Sequence, residues 1–378
     1  MNDAVSNDLH AAESTEAYHR IVTTPQNANG LPEFARSSTS GDLTPFIATL
    51  ISGRTLTQDE SKSAFEHLMT GECHPAEIGA LLALMATRVP TADELAGAAS
   101  VMRANVDRLD TGVPTHDLLD TAGTGGTAKL FNVSTAAAII AAAAGAKVAK
   151  HGNRSRTGRG SAEVLMQLGV NVDASRENQR RCMENAGICF CFAIHHHPAT
   201  KHVMPVRKSL GIPTIFNLLG PLTNPAGAQR QVVGVYAPQF VRPVADALAK
   251  LGAVRAVVLH GVDGLDECSI SAPTIIAEVR DGVVSDRVLS TDDLGVTNAP
   301  HSALVVHSVE DAARLLAAIL NGSDHGPCRD MVVANAGLAI MAAGLSDDLL
   351  SGMRRAGEVI DSGEAARTLE QLRAASNH

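Results

Sequence analysis

Asp120-Thr-Ala-Gly-Thr-Gly-Gly-Thr-Ala-Lys-Leu-Phe-Asn-Val-Ser-Thr135 decides the fold of this 378-residue chain. Residues 118–122 form a short, mostly apolar run that reads as a buried strand. The run breaks at Gly123, Gly125 and Gly126, and then Asn132, Val133, Ser134 and Thr135 open a long alanine-rich helix. Strand, glycine turn and helix N-terminus together make an anion site. Glycines let backbone N–H groups approach a phosphate closely, and the helix dipole favours the negative charge. An ordinary tight strand-to-helix turn uses glycine as well, so a lone Gly-x-Gly-Gly leaves both readings open. The nearby Asn-x-Ser-Thr and the sequel Lys150-His-Gly-Asn-Arg154 favour phosphate.

Outward from this stretch, strand candidates fall at 118–121, 147–150, 189–193, 231–236 and 256–260. Helical stretches at 134–144, 162–168, 176–186 and 241–251 lie between most of them. Strands alternating with helices predict a mainly parallel sheet. A hairpin follows at 275–279 and 283–289 around Asp281-Gly282. Helices over 309–320, 329–343 and 349–375 finish the chain. Upstream, 45–51 reads as a short helix, and Thr57-Gln-Asp-Glu60 and Thr91-Ala-Asp-Glu94 are capping boxes that open two more. His74-Pro75 starts another, with proline in its first turn. Four helices without strands predict a small all-α domain over 41–112. Residues 1–40 are polar and aperiodic and read as a mobile tail. The stretch 197–224 shows helix and turn signals and is expected to pack back on the small domain. The large α/β domain then comprises 113–196 and 225–378, its central sheet flanked by helices.

Composition narrows the function. With 31 basic and 40 acidic residues the formal net charge is −9, so no basic surplus exists to replace the counterions of a nucleic acid. No apolar stretch is long enough for a membrane span, and the acidic N-terminus fits no targeting sequence. The expected compartment is the cytoplasm. Six cysteines without paired spacing read as free, buried thiols.

Three further constellations can do chemistry. Residues 150–161, rich in cations, glycines and hydroxyls and ending at Ser161, follow a strand and precede a helix, so they belong to the same sheet edge and suit a pyrophosphate; a solvated basic loop is the plainer alternative. Gly261-Val-Asp-Gly-Leu-Asp-Glu267 follows a strand too. Its adjacent carboxylates, Asp266 and Glu267, can reach one divalent ion, and magnesium takes few carboxylates plus phosphate oxygens. In His197-Pro-Ala-Thr-Lys-His-Val-Met-Pro-Val-Arg207, Arg207 can clamp a carboxylate bidentately. Three sequential histidines, 195–197, cannot all converge on a zinc. No Walker lysine motif, Gly-x-Gly-x-x-Gly or Gly-x-Ser-x-Gly occurs.

These segments, in this order, closely resemble the anthranilate phosphoribosyltransferase family. The likeness runs from about Leu43 to the C-terminus through GTGG (123–126), NVST (132–135), KHGNR (150–154), GSAE (160–163), the long run 197–225 and HGVDGLDE (260–267). The resemblance implies a homodimer with its active site in the cleft between the two domains. It implies a magnesium-dependent reaction of phosphoribosyl pyrophosphate with anthranilate, in tryptophan biosynthesis. By position it implies that Gly123, Gly126 and Thr127 line the phosphoribosyl pyrophosphate loop and that Asn132, Val133, Ser134 and Thr135 hold its phosphates. Lys150, Arg154 and Ser161 face the pyrophosphate, with Lys150 and Arg154 stabilising its charge. Gly123, His151, Asn153, His197 and Arg207 surround anthranilate, and Ser134, Asp266 and Glu267 hold Mg²⁺. Thr127 replaces the aspartate usual after GTGG, and both loops are shorter than in the family, with Thr157 where paired serines are usual. A pyrimidine nucleoside phosphorylase on the same fold, or a non-catalytic binder, are the rival readings; the carboxylate pair and Arg207 favour the transferase.

Overall fold

Three of the four described helices of the N-terminal part begin on a residue whose side chain accepts an orphan N–H group. The computed structural model describes residues 41–125, 130–155 and 158–378, so the tail 1–40 and the expectations for Gly126, Thr127 and Thr157 lie outside the described residues. Helix α1 spans Thr44–Ile51, α2 Gln58–Thr70, α3 Pro75–Ala86 and α4 Ala92–Ala104. Thr57 and Glu60 form a reciprocal capping box at α2, and Thr91 and Glu94 form one at α4. His74 caps α3 through its ring, with Pro75 in the first turn. Glu94 does more than cap. It is fully buried, accepts the Leu56 N–H at 2.9 Å and pairs with Arg88. One carboxylate thereby joins the start of α4 to the loop before α2.

The second part alternates. Strand β1 (Leu118–Gly123) leads to α5 (Val133–Ala143), β2 (Lys147–Gly152), α6 (Ser161–Gln167), α7 (Arg176–Ala186) and β3 (Ile188–Phe192). The chain then turns at once into the four-residue α8 (Ala193–His196) and a 3-10 turn, Pro198–His202. Helices α9 (Met204–Leu210) and α10 (Ile215–Leu219) follow, and then β4 (Arg230–Gly234), α11 (Val241–Lys250) and β5 (Arg255–Gly261). Strands β6 (Thr274–Arg280) and β7 (Val283–Leu289) make a hairpin whose turn residues, Asp281 (φ 50°) and Gly282 (φ 79°), both lie in the left-handed region, as the two-residue turn of a twisted hairpin demands. Helices α12 (Val309–Leu320), α13 (Pro327–Ala342), α14 (Leu349–Asp361) and α15 (Glu364–Asn377) close the chain. The single helix expected over 349–375 is two, because Gly363 adopts a φ of 81° between them.

The sheet runs β3-β2-β1-β4-β5-β6-β7, parallel through β5 and antiparallel thereafter. From β1 the chain builds outward in one direction through β2 and β3, and β4 restarts on the other side of β1. The strand order therefore reverses between β1 and β4, where their C-terminal residues, Gly123 and Gly234, lie side by side. In open parallel sheets ligands bind at such a reversal, outside the carboxyl ends of the strands.

Two apolar cores flank the sheet. One joins α5, α7 and α12–α15 to one sheet face. The other begins among α1–α4, takes in Val203, Ile215, Phe216 and Leu219 from the 197–224 stretch, and continues through α11 to Val233, Val258 and Val279 on the opposite face. Residues 197–224 thus pack on the small helices, with α9 against α3 and α10 against α4. No helix among the described residues is long and apolar enough to cross a membrane.

Candidate functional site

At the strand-order reversal the loop after β5 folds over the ends of β1 and β4. Of the two glycines there, Gly234 is obligatory, and Gly123 leaves room for the Asp266 side chain. A Cβ on Gly234 would sit 1.7 Å from the Asp266 carbonyl oxygen, and one on Gly123 would sit 2.9 Å from the Asp266 carboxylate. The missing side chains let Asp266 and Glu267 lie directly on the strand ends. The loop is closed by short bonds: the Gly261 N–H donates to the Leu265 carbonyl at 2.8 Å, and the Ser269 hydroxyl to Asp263 at 2.6 Å.

Glu267 reaches the start of α5. The Ser134 N–H donates to its Oε1 at 3.2 Å, so the acidic pair and the helix N-terminus expected to hold phosphate meet at one point. Burial, then the neighbouring charge of Asp266, push the Glu267 carboxyl up to about 8, against the pull of Lys150 and of the Ser134 N–H. Two adjacent, half-buried carboxylates call for a cation. Among the described residues no three His, Cys, Asp or Glu side chains converge on a common point. The donors on offer are therefore two carboxylates and the Ser134 hydroxyl, which suits a hard ion that keeps waters or phosphate oxygens. These residues fit magnesium.

Lys150 lies beneath this point rather than beside it. Its ammonium is buried and donates to the Thr121 carbonyl at 2.5 Å, with Asp120 and Glu267 as its charge partners. Burial lowers its pKa. The neighbouring Asp120, also buried, takes the His151 N–H at 2.9 Å, and burial raises its carboxyl to about 6. Asp120 and Thr121, whose hydroxyl donates to the Ser134 carbonyl at 2.9 Å, lie here too, beyond the candidate residues that the sequence suggests. The visible signal was a charged residue in an otherwise apolar strand.

The second loop lies next to the first. The Asn132 amide donates to the Arg159 carbonyl at 3.3 Å, and the Arg159 guanidinium bonds the Val306 carbonyl. Asn153 and Arg154 are exposed, with Arg154 5.7 Å above the Phe192 ring. Ser161, at the start of α6, donates to the Asn153 carbonyl at 3.4 Å. Val133 and Thr135 are buried in the first turn of α5.

The three histidines diverge, as their adjacency requires. His195 meets Asp173 at 2.6 Å at the surface. His196 is buried between the Asp107 carbonyl and Arg176, both at 2.7 Å, and braces the connection between the two parts of the chain. His197 turns the other way, its Nε2 lying 3.2 Å from that of His151. Burial pushes His197 down to about 4 and holds His151 well below the ordinary imidazole value. At pH 7 the pair is two neutral rings, good for holding and poor for taking protons.

Arg207, on α9, lies over the Phe216 ring at 5.0 Å. One terminal nitrogen makes a long 3.4 Å contact with Asn217 and the other faces the Met204 sulfur, while Nε has no partner among the described residues. A half-buried guanidinium so sparsely bonded suits a carboxylate from outside the chain. All six cysteines are buried and unpaired.

Comparison with known proteins identifies the family and the fold. Residues 44–106 match the family model described as the helical bundle domain of the glycosyl transferase family, and 115–366 match its a/b domain. The anthranilate phosphoribosyltransferase of Halorhodospira halophila is 44% identical over 333 residues, covering 88% of this chain and 97% of that one. The enzyme of the same name from Anaeromyxobacter sp. strain K is 47% identical over 332 residues, 87% and 97% of the two chains. Among solved structures, anthranilate phosphoribosyltransferase from Thermus thermophilus superposes with a TM-score of 0.82 at 39% identity, over 90% of this chain and all of that one. The Saccharomyces cerevisiae enzyme, solved with phosphoribosyl pyrophosphate and magnesium, shares the fold at 24% identity with a TM-score of 0.78, over 90% and 99% of the two chains.

Proposed function

The chain belongs to the anthranilate phosphoribosyltransferase family, and from that premise we propose how its own residues perform the family's reaction. It transfers the phosphoribosyl group of phosphoribosyl pyrophosphate to the amine of anthranilate, giving N-(5-phosphoribosyl)anthranilate and pyrophosphate, a step of tryptophan biosynthesis. The observation that carries the assignment of roles is the bond from the Ser134 N–H to Glu267, which joins an acidic pair to a helix N-terminus at the strand-order reversal. Phosphates belong at the backbone of 123–126 and at Asn132 to Thr135. Mg²⁺ belongs at Asp266, Glu267 and the Ser134 hydroxyl, where its charge offsets that of the departing pyrophosphate.

The aromatic nitrogen attacks the anomeric carbon, the bond from that carbon to the pyrophosphate oxygen breaks, and the amine loses a proton. The reacting carbon becomes cationic and the leaving group gains charge, so fixed positive groups do most of the catalysis. Arg154, at the mouth, supports the pyrophosphate directly, and Ser161 borders the same loop. Lys150 acts from below by balancing Asp120 and Glu267 (its ammonium is tied to Thr121). Arg207 holds the anthranilate carboxylate, and Asn153, Gly123, His151 and His197 border its ring. An arylamine is neutral at pH 7 and its nitrogen becomes strongly acidic as the new bond forms, so the proton passes to water and the weakly basic histidine pair need not take it. The working division is a small domain at 41–112 and a large one at 113–196 and 225–378. The working form is a cytoplasmic homodimer.

The test is the decay of anthranilate fluorescence after mixing the full chain with phosphoribosyl pyrophosphate and Mg²⁺. Decay that EDTA stops is the expected result. Unchanged fluorescence with phosphoribosyl pyrophosphate still bound by calorimetry would reject anthranilate as the acceptor.

A further inference from the structure

We propose that Asn335 is a positioning residue for the metal-binding carboxylates, setting where Glu267 points. This rests on the reading of Asp266 and Glu267 as metal ligands. Asn335 is the one amide in the middle of α13, a helix buried along nearly all of its length. Its Oδ1 accepts the Cys268 N–H at 2.9 Å, and its Nδ2 donates to the Cys268 carbonyl at 3.0 Å and to the Met331 carbonyl at 2.9 Å. One side chain thus grips both peptide groups that flank Cys268, and the first of these is attached directly to Glu267.

The grip does more than satisfy buried groups. Asn335, Glu267, Ser134 and Thr121 line a common small cavity under the ends of β1 and β4. Seen from Glu267, the carboxylate is held at its tip by the Ser134 N–H and at its root by Asn335. Only an amide in this orientation matches one N–H and two carbonyls. A carboxylate at the same place would set an oxygen against the Cys268 and Met331 carbonyls. An alanine would leave the Cys268 N–H and carbonyl without the amide that now pairs them. Groups that orient metal ligands in this way change metal affinity by roughly ten- to a hundredfold when removed.

The experiment titrates Mn²⁺ into the full-length protein and reads free Mn²⁺ by its six-line electron paramagnetic resonance signal. Wild type is compared with Asn335→Asp, Asn335→Ala and Glu267→Gln, and Mg²⁺ half-saturation and kcat are measured on the same preparations. Asn335→Asp and Asn335→Ala should each weaken Mn²⁺ binding roughly ten- to a hundredfold. Both should raise the Mg²⁺ half-saturation, retain most of kcat at saturating Mg²⁺ and leave the anthranilate KM unchanged. Wild-type Mn²⁺ binding in both Asn335 variants, with binding lost in Glu267→Gln, would overturn the proposal and leave the metal site standing. Wild-type binding in Glu267→Gln would overturn the metal site and the proposal together. A fall in kcat at unchanged Mg²⁺ half-saturation would reduce Asn335 to a packing role, as would failure of both Asn335 variants to fold.

Discussion

Arg207 carries a charge half out of water over the Phe216 ring, with its Nε bonded to nothing among the described residues. Burial lowers its pKa, yet a guanidinium stays protonated at any working pH, so the position is costly until an anion arrives. Arg207→Ala should therefore cost a charge-assisted bond of about 1.5–3 kcal/mol, or roughly ten- to a hundredfold in kcat/KM for anthranilate. The phosphoribosyl pyrophosphate KM should stay as it was. Steady-state kinetics with each substrate varied in turn checks this, and unchanged anthranilate kinetics would remove Arg207 from the acceptor site. At this scale the sequence was informative about chemistry and silent about direction. Arg207, Asp266 and Glu267 could be named because their types and spacing imply carboxylate and metal binding. Lys150 could not be placed beneath the site, because strand periodicity tells which face a side chain takes and not that Thr121 will capture its ammonium. Asn335 could not be found at all. An asparagine inside an apolar helix gives no sign of the loop, 67 residues away, that it holds.

Glycine at an element's end has two different meanings here, and substitutions separate them. Gly234 ends β4 with an ordinary negative φ, but any Cβ meets the Asp266 backbone. Gly363 lies between α14 and α15 at a φ of 81° with open space around it. Gly363→Ala should lose only the backbone term of about 1–2 kcal/mol and keep full activity. Gly234→Ala forces backbone apart, should cost about 3 kcal/mol or more, and should displace the Asp266–Glu267 loop, raising the Mg²⁺ half-saturation. Denaturant melts paired with Mg²⁺ titrations check both, and the expectation for Gly234 fails if the alanine variant keeps the wild-type Mg²⁺ response. Elements were legible where the local chemistry is strong: the two Thr-x-x-Glu boxes, Pro75 and Asp281-Gly282 each sit where the sequence puts them. The junction at Gly363 was hidden because the apolar spacing continues across it, so 349–375 reads as one helix. Only the backbone conformation at the glycine divides it.

The parallel sheet followed from alternating strands and helices, but the route by which the small helices join it did not, because it depends on contacts distant in sequence. Helix α4 packs on α11, and α11 packs on β5 and β6, so the apolar core of the helical part runs without a break onto one sheet face. Arg103, in the last turn of α4, reinforces the joint by donating to the Leu222 carbonyl at 2.7 Å and the Leu251 carbonyl at 3.2 Å. Burial lowers its pKa only to about 10, so it remains charged at neutral pH and would be expensive to leave unpaired. A chain of this length with two separate cores would unfold in two steps. With the second core shared, the full-length protein should instead show one endotherm whose calorimetric and van't Hoff enthalpies agree. Phosphoribosyl pyrophosphate with Mg²⁺ should move that endotherm up as a whole, since a ligand of the folded state stabilises everything that unfolds with its site. Arg103→Ala removes the joint's buried donors and should lower the midpoint and split the transition. Differential scanning calorimetry of both proteins decides it: two endotherms in the wild type, or a ligand shift confined to one of them, would mean that the helical part is a separate folding unit.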